Sequence, residues 1–142
     1  MAGNFKAAAI HCIDGRFVDT HAKAIAQLRE EFGGAMVDQL ANPGVSVSVL
    51  VPDETTSGIY ANLAGSKLLH AIDTIVLIEH ENCGMYGLLA KNGNETFSVT
   101  PENEKEIHAR NARAAAEKLK EQFPDMEFLF RYSRLDGTTE KL

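Results

Sequence analysis

Two apolar runs constrain this chain more than any other feature: Phe5 to Ile13 and Thr74 to Glu79 are filled almost continuously with apolar residues, without alternation. A strand shielded from water on both faces needs that pattern, and such strands occupy the middle of a parallel sheet covered by helices. Between the two runs the period turns helical. Thr20 to Phe32 places Ile25, Leu28 and Phe32 on one face and stops at Gly33-Gly34, while Gly58 to His70 carries Ile59, Leu63 and the Leu68-Leu69 pair. Ala35 to Leu40 reads as a further strand, closed by the turn-forming Asn42-Pro43-Gly44. Val45 to Val49 alternates with period two and reads as an edge strand or extended connector before the polar run Asp53 to Ser57. A short helical segment is expected from Cys83 to Leu89. The polar stretch Lys91 to Thr100 is expected to be a loop with an exposed, mobile tip at Asn92-Gly93-Asn94. Thr100-Pro101 then supplies an N-cap and first turn for a long helix with Ala112, Ala115, Leu119 and Phe123 on one stripe, ended by Pro124. Glu127 to Tyr132 is the last predicted strand. The repeated strand-helix order predicts an α/β fold, with a mainly parallel central sheet in three α/β/α layers, spanning 1–142 as a single domain.

The 142 residues are 44% hydrophobic and 24% charged, enough apolar surface for a core and too little charge for disorder. The formal charge of −6 and the absence of a lysine or arginine cluster exclude a nucleic-acid groove and an anionic membrane surface, both of which need concentrated positive charge. No apolar run approaches the roughly 20 residues of a membrane span, and no signal peptide is visible before Asp14 and Arg16. The expected location is cytoplasmic. In a reducing compartment the two cysteines, Cys12 and Cys83, read as free thiols or metal ligands before they read as a disulfide.

In open parallel sheets, sites form outside the carboxyl ends of strands. Cys12, Asp14 and Arg16 leave the first strand, Asn42-Pro43-Gly44 the second, and His80-Glu81-Asn82-Cys83-Gly84 the third. His80 and Cys83 are three apart, so both side chains can face one ion where a helical turn begins. With Cys12 at the equivalent end of another strand, two thiolates and an imidazole could complete three vertices of a tetrahedral zinc site. The fourth vertex is left for water or for Asp14. A zinc-bound water loses a proton near neutral pH and can attack an electrophilic carbon. Asp14 is suited to accept a hydrogen bond from it, and Arg16 to hold that carboxylate ionised with a bidentate fork. A loop salt bridge is the plainer reading of Asp14 and Arg16. A redox pair is the weaker alternative for the cysteines. His11, one residue before Cys12, should point to the opposite sheet face and is read as structural; His21, His70 and His108 are read as surface or helix-face residues. His108 becomes a candidate shuttle if the long helix passes the site. Glu81 is read as solvated and Tyr86 as packing. A cysteine-phosphatase loop is rejected, because three residues between Cys12 and Arg16 are two too few.

Cys12-Ile13-Asp14-Gly15-Arg16 followed by His80-Glu81-Asn82-Cys83-Gly84 resembles the paired signatures of the β-class carbonic anhydrases, C-x-D-S-R and H-x-x-C-G. Asn42-Pro43-Gly44 sits where that family has an Asn-Ala-Gly turn, and the strand order matches from about Phe5 to Tyr132. The resemblance implies a β-carbonic anhydrase-like fold, zinc on Cys12, His80 and Cys83, and Asp14 with Arg16 as the dyad controlling the open coordination position. It implies reversible hydration of carbon dioxide to bicarbonate in a homodimer whose pocket is partly lined by the partner subunit. Alternatives are a zinc enzyme acting on carbonyl sulfide or carbon disulfide, and a zinc-binding scaffold or sensor without turnover. Gly15 replaces the usual serine, Pro43 stands where alanine is common, and the N-terminal helices of typical members are missing, which marks a short, minimal member.

Overall fold

The computed structural model describes residues 3–51, 53 and 58–142. The strands are β1 (Phe5–His11), β2 (Met36–Ala41), β3 (Thr74–His80), β4 (Glu127–Ser133) and β5 (Thr139–Lys141). The helices are α1 (Val18–Glu31), α2 (Ser46–Leu50), α3 (Ile59–His70), α4 (Gly84–Lys91) and α5 (Glu104–Gln122). The strands form one sheet in the order β2-β1-β3-β4-β5, parallel throughout except for the β4–β5 pair. β1 and β3 are adjacent and central. Their continuous apolar character is explained by burial on both sides: Ala7 to Ile10 and Ile75 to Ile78 are fully inaccessible.

Alternate residues of these strands feed two cores, which makes three layers. Ala8, Ile10, Ile75 and Leu77 pack with Val47, Leu63, Tyr86, Ala115 and Leu119 under α2 to α5. Ala7, Ala9, Val76 and Ile78 pack with Ala24, Ile25 and Leu28 of α1 on the other face. This parity positions the site. Cys12 continues the face of Ala8 and Ile10, whereas His80 continues the face of Val76 and Ile78, so they approach one point from opposite sides of the sheet.

Several expectations are corrected. Val45 to Val49 is neither an edge strand nor an extended connector: Ser46–Leu50 is helical, and Val45, Ser46, Val47, Ser48 and Val49 are all buried. Alternation marks a strand only where one face meets water. Here the serines are buried too, with Ser46 Oγ 2.9 Å from Tyr86 Oη and Ser48 Oγ donating to the Pro43 carbonyl at 3.2 Å. Of the polar run 53–57, only Asp53 lies within the described residues. Thr100-Pro101 does not cap the long helix. A turn intervenes, with Asn103 Oδ1 accepting from Thr100 N–H, and α5 starts at Glu104. The Lys91 to Thr100 loop exposes Asn92 and Gly93 but is pinned by buried Phe97, and its Thr96 carbonyl accepts from Arg110 and Asn111. β5 is an additional strand, returned by a turn at Asp136-Gly137 in which Asp136 Oδ1 accepts from Thr138 N–H at 2.9 Å. Among the described residues, no helix is long and apolar enough to cross a membrane.

Candidate metal centre

β1 ends at His11 and β3 at His80, and each strand is followed by a residue or short turn that carries a thiol inward. Cys12 Sγ, His80 and Cys83 Sγ place their ligand atoms within 4.8 Å of one another, with all three residues buried. His80 Nδ1–H donates to the Glu81 carbonyl at 2.8 Å, which fixes the ring. Its Nε2 is buried and has no hydrogen-bond partner. An orphaned imidazole nitrogen beside two sulfurs is the donor set that a borderline-soft ion such as zinc prefers, so the residues present fit such a metal. The two sulfurs interact strongly. A hydrogen bond from Cys83 pulls Cys12 toward thiolate despite burial, with His80 adding to the effect, while the same contact and burial push Cys83 up. Burial opposes a charged His80, but the Cys12 sulfur outweighs it and the net shift is upward.

Gly44 completes the Cys12 environment. Its N–H donates to Cys12 Sγ at 3.4 Å from the turn after β2. Gly44 has φ +70°, and a Cβ there would meet Val47 Cγ2 at 2.8 Å and Met85 Cβ at 2.9 Å. Only glycine brings the amide so close to the sulfur. Gly44→Ala is therefore expected to cost about 2–3 kcal/mol, from left-handed strain and overpacking together. Gly15→Ala, with φ outside the left-handed region and no heavy atom within 4 Å of its added Cβ, should cost far less. Thermal denaturation of the two variants checks this; equal losses would show that the Gly44 turn is not sterically required.

Asp14 does not join the ligand cluster. Its carboxylate is taken up by Arg16: Nε lies 3.1 and 3.2 Å from Oδ1 and Oδ2, Nη2 lies 2.7 Å from Oδ2, and the Arg16 backbone N–H donates to Oδ1 at 3.0 Å. This fork holds Asp14 down to about 2. A cavity of about 450 Å³ lined by Cys12, Ile13, Asp14, Pro43, Gly84 and Met85 opens beside it.

The histidines depart from their expected places. His11 does face away from Cys12, its ring centroid 4.6 Å from that of His21. His21 and His108 are buried at 3% and 0% exposure, contrary to the surface reading. Burial holds His21 down to about 4, with the nearby His11 and His80 adding to the effect. His108 Nδ1 lies 2.9 Å from Glu79 Oε2 inside the core. His70 is half-buried, stacked on Phe5 and bonded to Asp38. Tyr86 is fully buried as packing predicts, and burial drives its hydroxyl up. Glu81 is not simply solvated: its carboxylate accepts from Leu135 N–H. The residue that sequence reasoning passed over is Asn82, whose side chain and carbonyl both accept from Arg16.

A mainly parallel sheet in this order, with a Cys-His-Cys cluster at adjacent strand ends, is the architecture of a β-carbonic anhydrase-like protein. Solved structures agree on the fold. The β-carbonic anhydrase CcaA matches with TM-score 0.64 at 15% identity, covering 97% of this chain and 79% of its own. The β-carbonic anhydrase CafA of Aspergillus fumigatus matches with TM-score 0.61 at 12% identity, covering 98% and 76%. One of two tetrameric β-carbonic anhydrases of Sordaria macrospora gives 0.59 at 15%, covering 99% and 82%. The chain belongs to the family described as "Putative carbonic anhydrase", which matches residues 1–140. It is also 31% identical to an uncharacterised protein of Rickettsia conorii, over 94% of this chain and 69% of that one.

Proposed function

We propose that this protein is a zinc-dependent carbonic anhydrase that hydrates carbon dioxide reversibly to bicarbonate and a proton. The observation that carries the reading is the unpartnered Nε2 of His80 facing two cysteine sulfurs, while the Asp14 carboxylate beside the cluster is taken up by Arg16. Cys12, His80 and Cys83 would hold the metal, which supplies the Lewis acidity that makes water nucleophilic near neutral pH. Asp14, kept ionised by Arg16, accepts a hydrogen bond from the nucleophile and aims its lone pair at the substrate carbon. Ile13, Pro43 and Met85 give carbon dioxide an apolar approach, and the released proton passes to solvent or buffer. No protein atom becomes covalently bonded to carbon.

Homo-oligomer formation belongs to the same proposal. Ile13 and Val18, next to the site, are 62% and 66% exposed, and apolar side chains in that position suit burial against a second copy. Cys12 and Cys83 serve as ligands only when reduced, which favours the cytoplasm. The test is stopped-flow hydration with zinc content measured in parallel. Asp14→Asn is expected to retain its metal and lose roughly a hundredfold in kcat/KM, the scale of a misoriented reacting group. Hydration equal to that of the parent would remove Asp14 from the mechanism.

A further inference from the structure

The Asp14 carboxylate takes its orientation from the guanidinium that grips it, so whatever holds Arg16 also aims Asp14. Arg16 is a long side chain, 48% exposed, and its contacts with Asp14 alone leave it free to swing together with that loop. The structure supplies a second grip. Arg16 Nη1 donates to Asn82 Oδ1 and Nη2 to the Asn82 carbonyl, both at 2.9 Å. Asn82 can present both oxygens in one direction because it is left-handed, φ 55°, a conformation asparagine tolerates better than most residues. Its N–H then points the other way and donates to Glu104 Oε1 at 2.5 Å.

Glu104 is half-buried. It opens α5, and one turn later His108 places a fully buried, unpartnered Nε2 3.9 Å from Glu104 Oε1, while the other ring nitrogen of His108 is bonded to buried Glu79. Hydrogen bonds therefore link Glu104, Asn82, Arg16 and the Asp14 carboxylate in one row, and His108 Nε2, 3.9 Å from Glu104 and beyond hydrogen-bond reach, lies at its core end. We infer that Asn82 and Glu104 are positioning residues for the hydration reaction: they lock the Arg16 guanidinium and thereby set the direction of the Asp14 carboxylate. The inference rests on the hydratase reading for its kinetic consequence, but the lock on Arg16 is a property of the chain alone.

Two measurements on the full-length protein test it. The first is the Arg16 Nε–H resonance in a ¹⁵N-labelled sample, which a doubly gripped guanidinium should show as slowly exchanging. Glu104→Ala and Asn82→Gly, the latter preserving the left-handed backbone, should accelerate that exchange at least severalfold, and Glu104→Gln should restore it, because glutamine Oε1 still accepts from Asn82 N–H. The second is stopped-flow hydration of the zinc-loaded protein. Glu104→Ala and Asn82→Gly should each lower kcat/KM by roughly tenfold, the scale of one charge-assisted hydrogen bond, with zinc content unchanged. In an Asp14→Asn background the same changes should do nothing further. Unchanged Arg16 exchange in both variants overturns the lock, and equal losses with or without the Asp14 carboxylate overturn the positioning role. A parent protein without hydratase activity would fail the functional reading while the exchange measurement still decides the lock.

Discussion

Purified Cys83→Ser protein is expected to carry well under one zinc per chain, against one per chain for the parent. Four-ligand zinc peptides bind with roughly 10–16 kcal/mol in total, so one ligand is worth about 3 kcal/mol, and its loss weakens binding by about two orders of magnitude. A serine hydroxyl does not replace a thiolate. The remaining pair, Cys12 and His80, lacks the short-range pincer that Cys83 makes with His80 across a single turn. The fold should survive, since the substitution removes no volume from the centres of β1 and β3. Metal titration followed by thermal denaturation separates the two effects. Zinc at a hundredfold excess over its dissociation constant stabilises the parent by about 2.7 kcal/mol, and the same addition should leave Cys83→Ser nearly unmoved. Stoichiometric zinc in the variant would remove Cys83 from the ligand set.

That Cys12, His80 and Cys83 could be picked out before the fold was known follows from local chemistry. Cys12 and His80 sit where apolar runs stop and Cys83 a short turn beyond, and a buried central strand is the one element whose pattern survives without knowledge of its neighbours. β1 and β3 were legible for that reason, ending within two residues of their expected limits. Elements whose character depends on tertiary partners were not legible. Ser46 and Ser48 look like the wet face of a strand until Tyr86 and the Pro43 carbonyl are seen to satisfy them. His108 looks like a helix-face residue until Glu79 is found beneath it. Glu79 in turn passes for a polar strand end, because nothing local shows that α2 and α5 will close over it. Asn82 was hidden differently. It lies inside a matched motif, between two proposed ligands, and its use depends on a left-handed backbone that the residue type permits without requiring. Asp136-Gly137 is a hairpin dipeptide, the local signal in the sequence that corresponds to β5.

His108→Leu is expected to destabilise the protein by about 1–3 kcal/mol, the usual cost of leaving a buried hydrogen-bonding group without its partner. For a chain of this length that is a fall of roughly 3–12 °C in Tm. Glu79 is 1% exposed, and without His108 its only remaining hydrogen bond among the described residues is the one that Ser46 N–H donates to Oε1 at 3.1 Å. Water cannot replace the lost contact there, since Tyr86 stacks on the imidazole at 3.9 Å and Tyr132 closes the other side at 5.5 Å. Leucine keeps volume but donates nothing. Adding Glu79→Gln to His108→Leu should recover a large part of the loss, because glutamine Oε1 still accepts from Ser46 N–H and a neutral amide costs less to bury than a carboxyl group without its partner; a difference near zero between single and double variants would show that packing, not the hydrogen-bonded pair, is what His108 supplies. The damage should also reach the metal centre. Ser46 opens α2 two residues after Gly44, and Gly44 N–H is the donor on Cys12 Sγ, so releasing Glu79 loosens the turn that holds a proposed ligand. Zinc affinity of the single variant should fall by about tenfold, the lower end of what outer hydrogen-bond partners of metal ligands are worth, and recover in the double variant along with Tm.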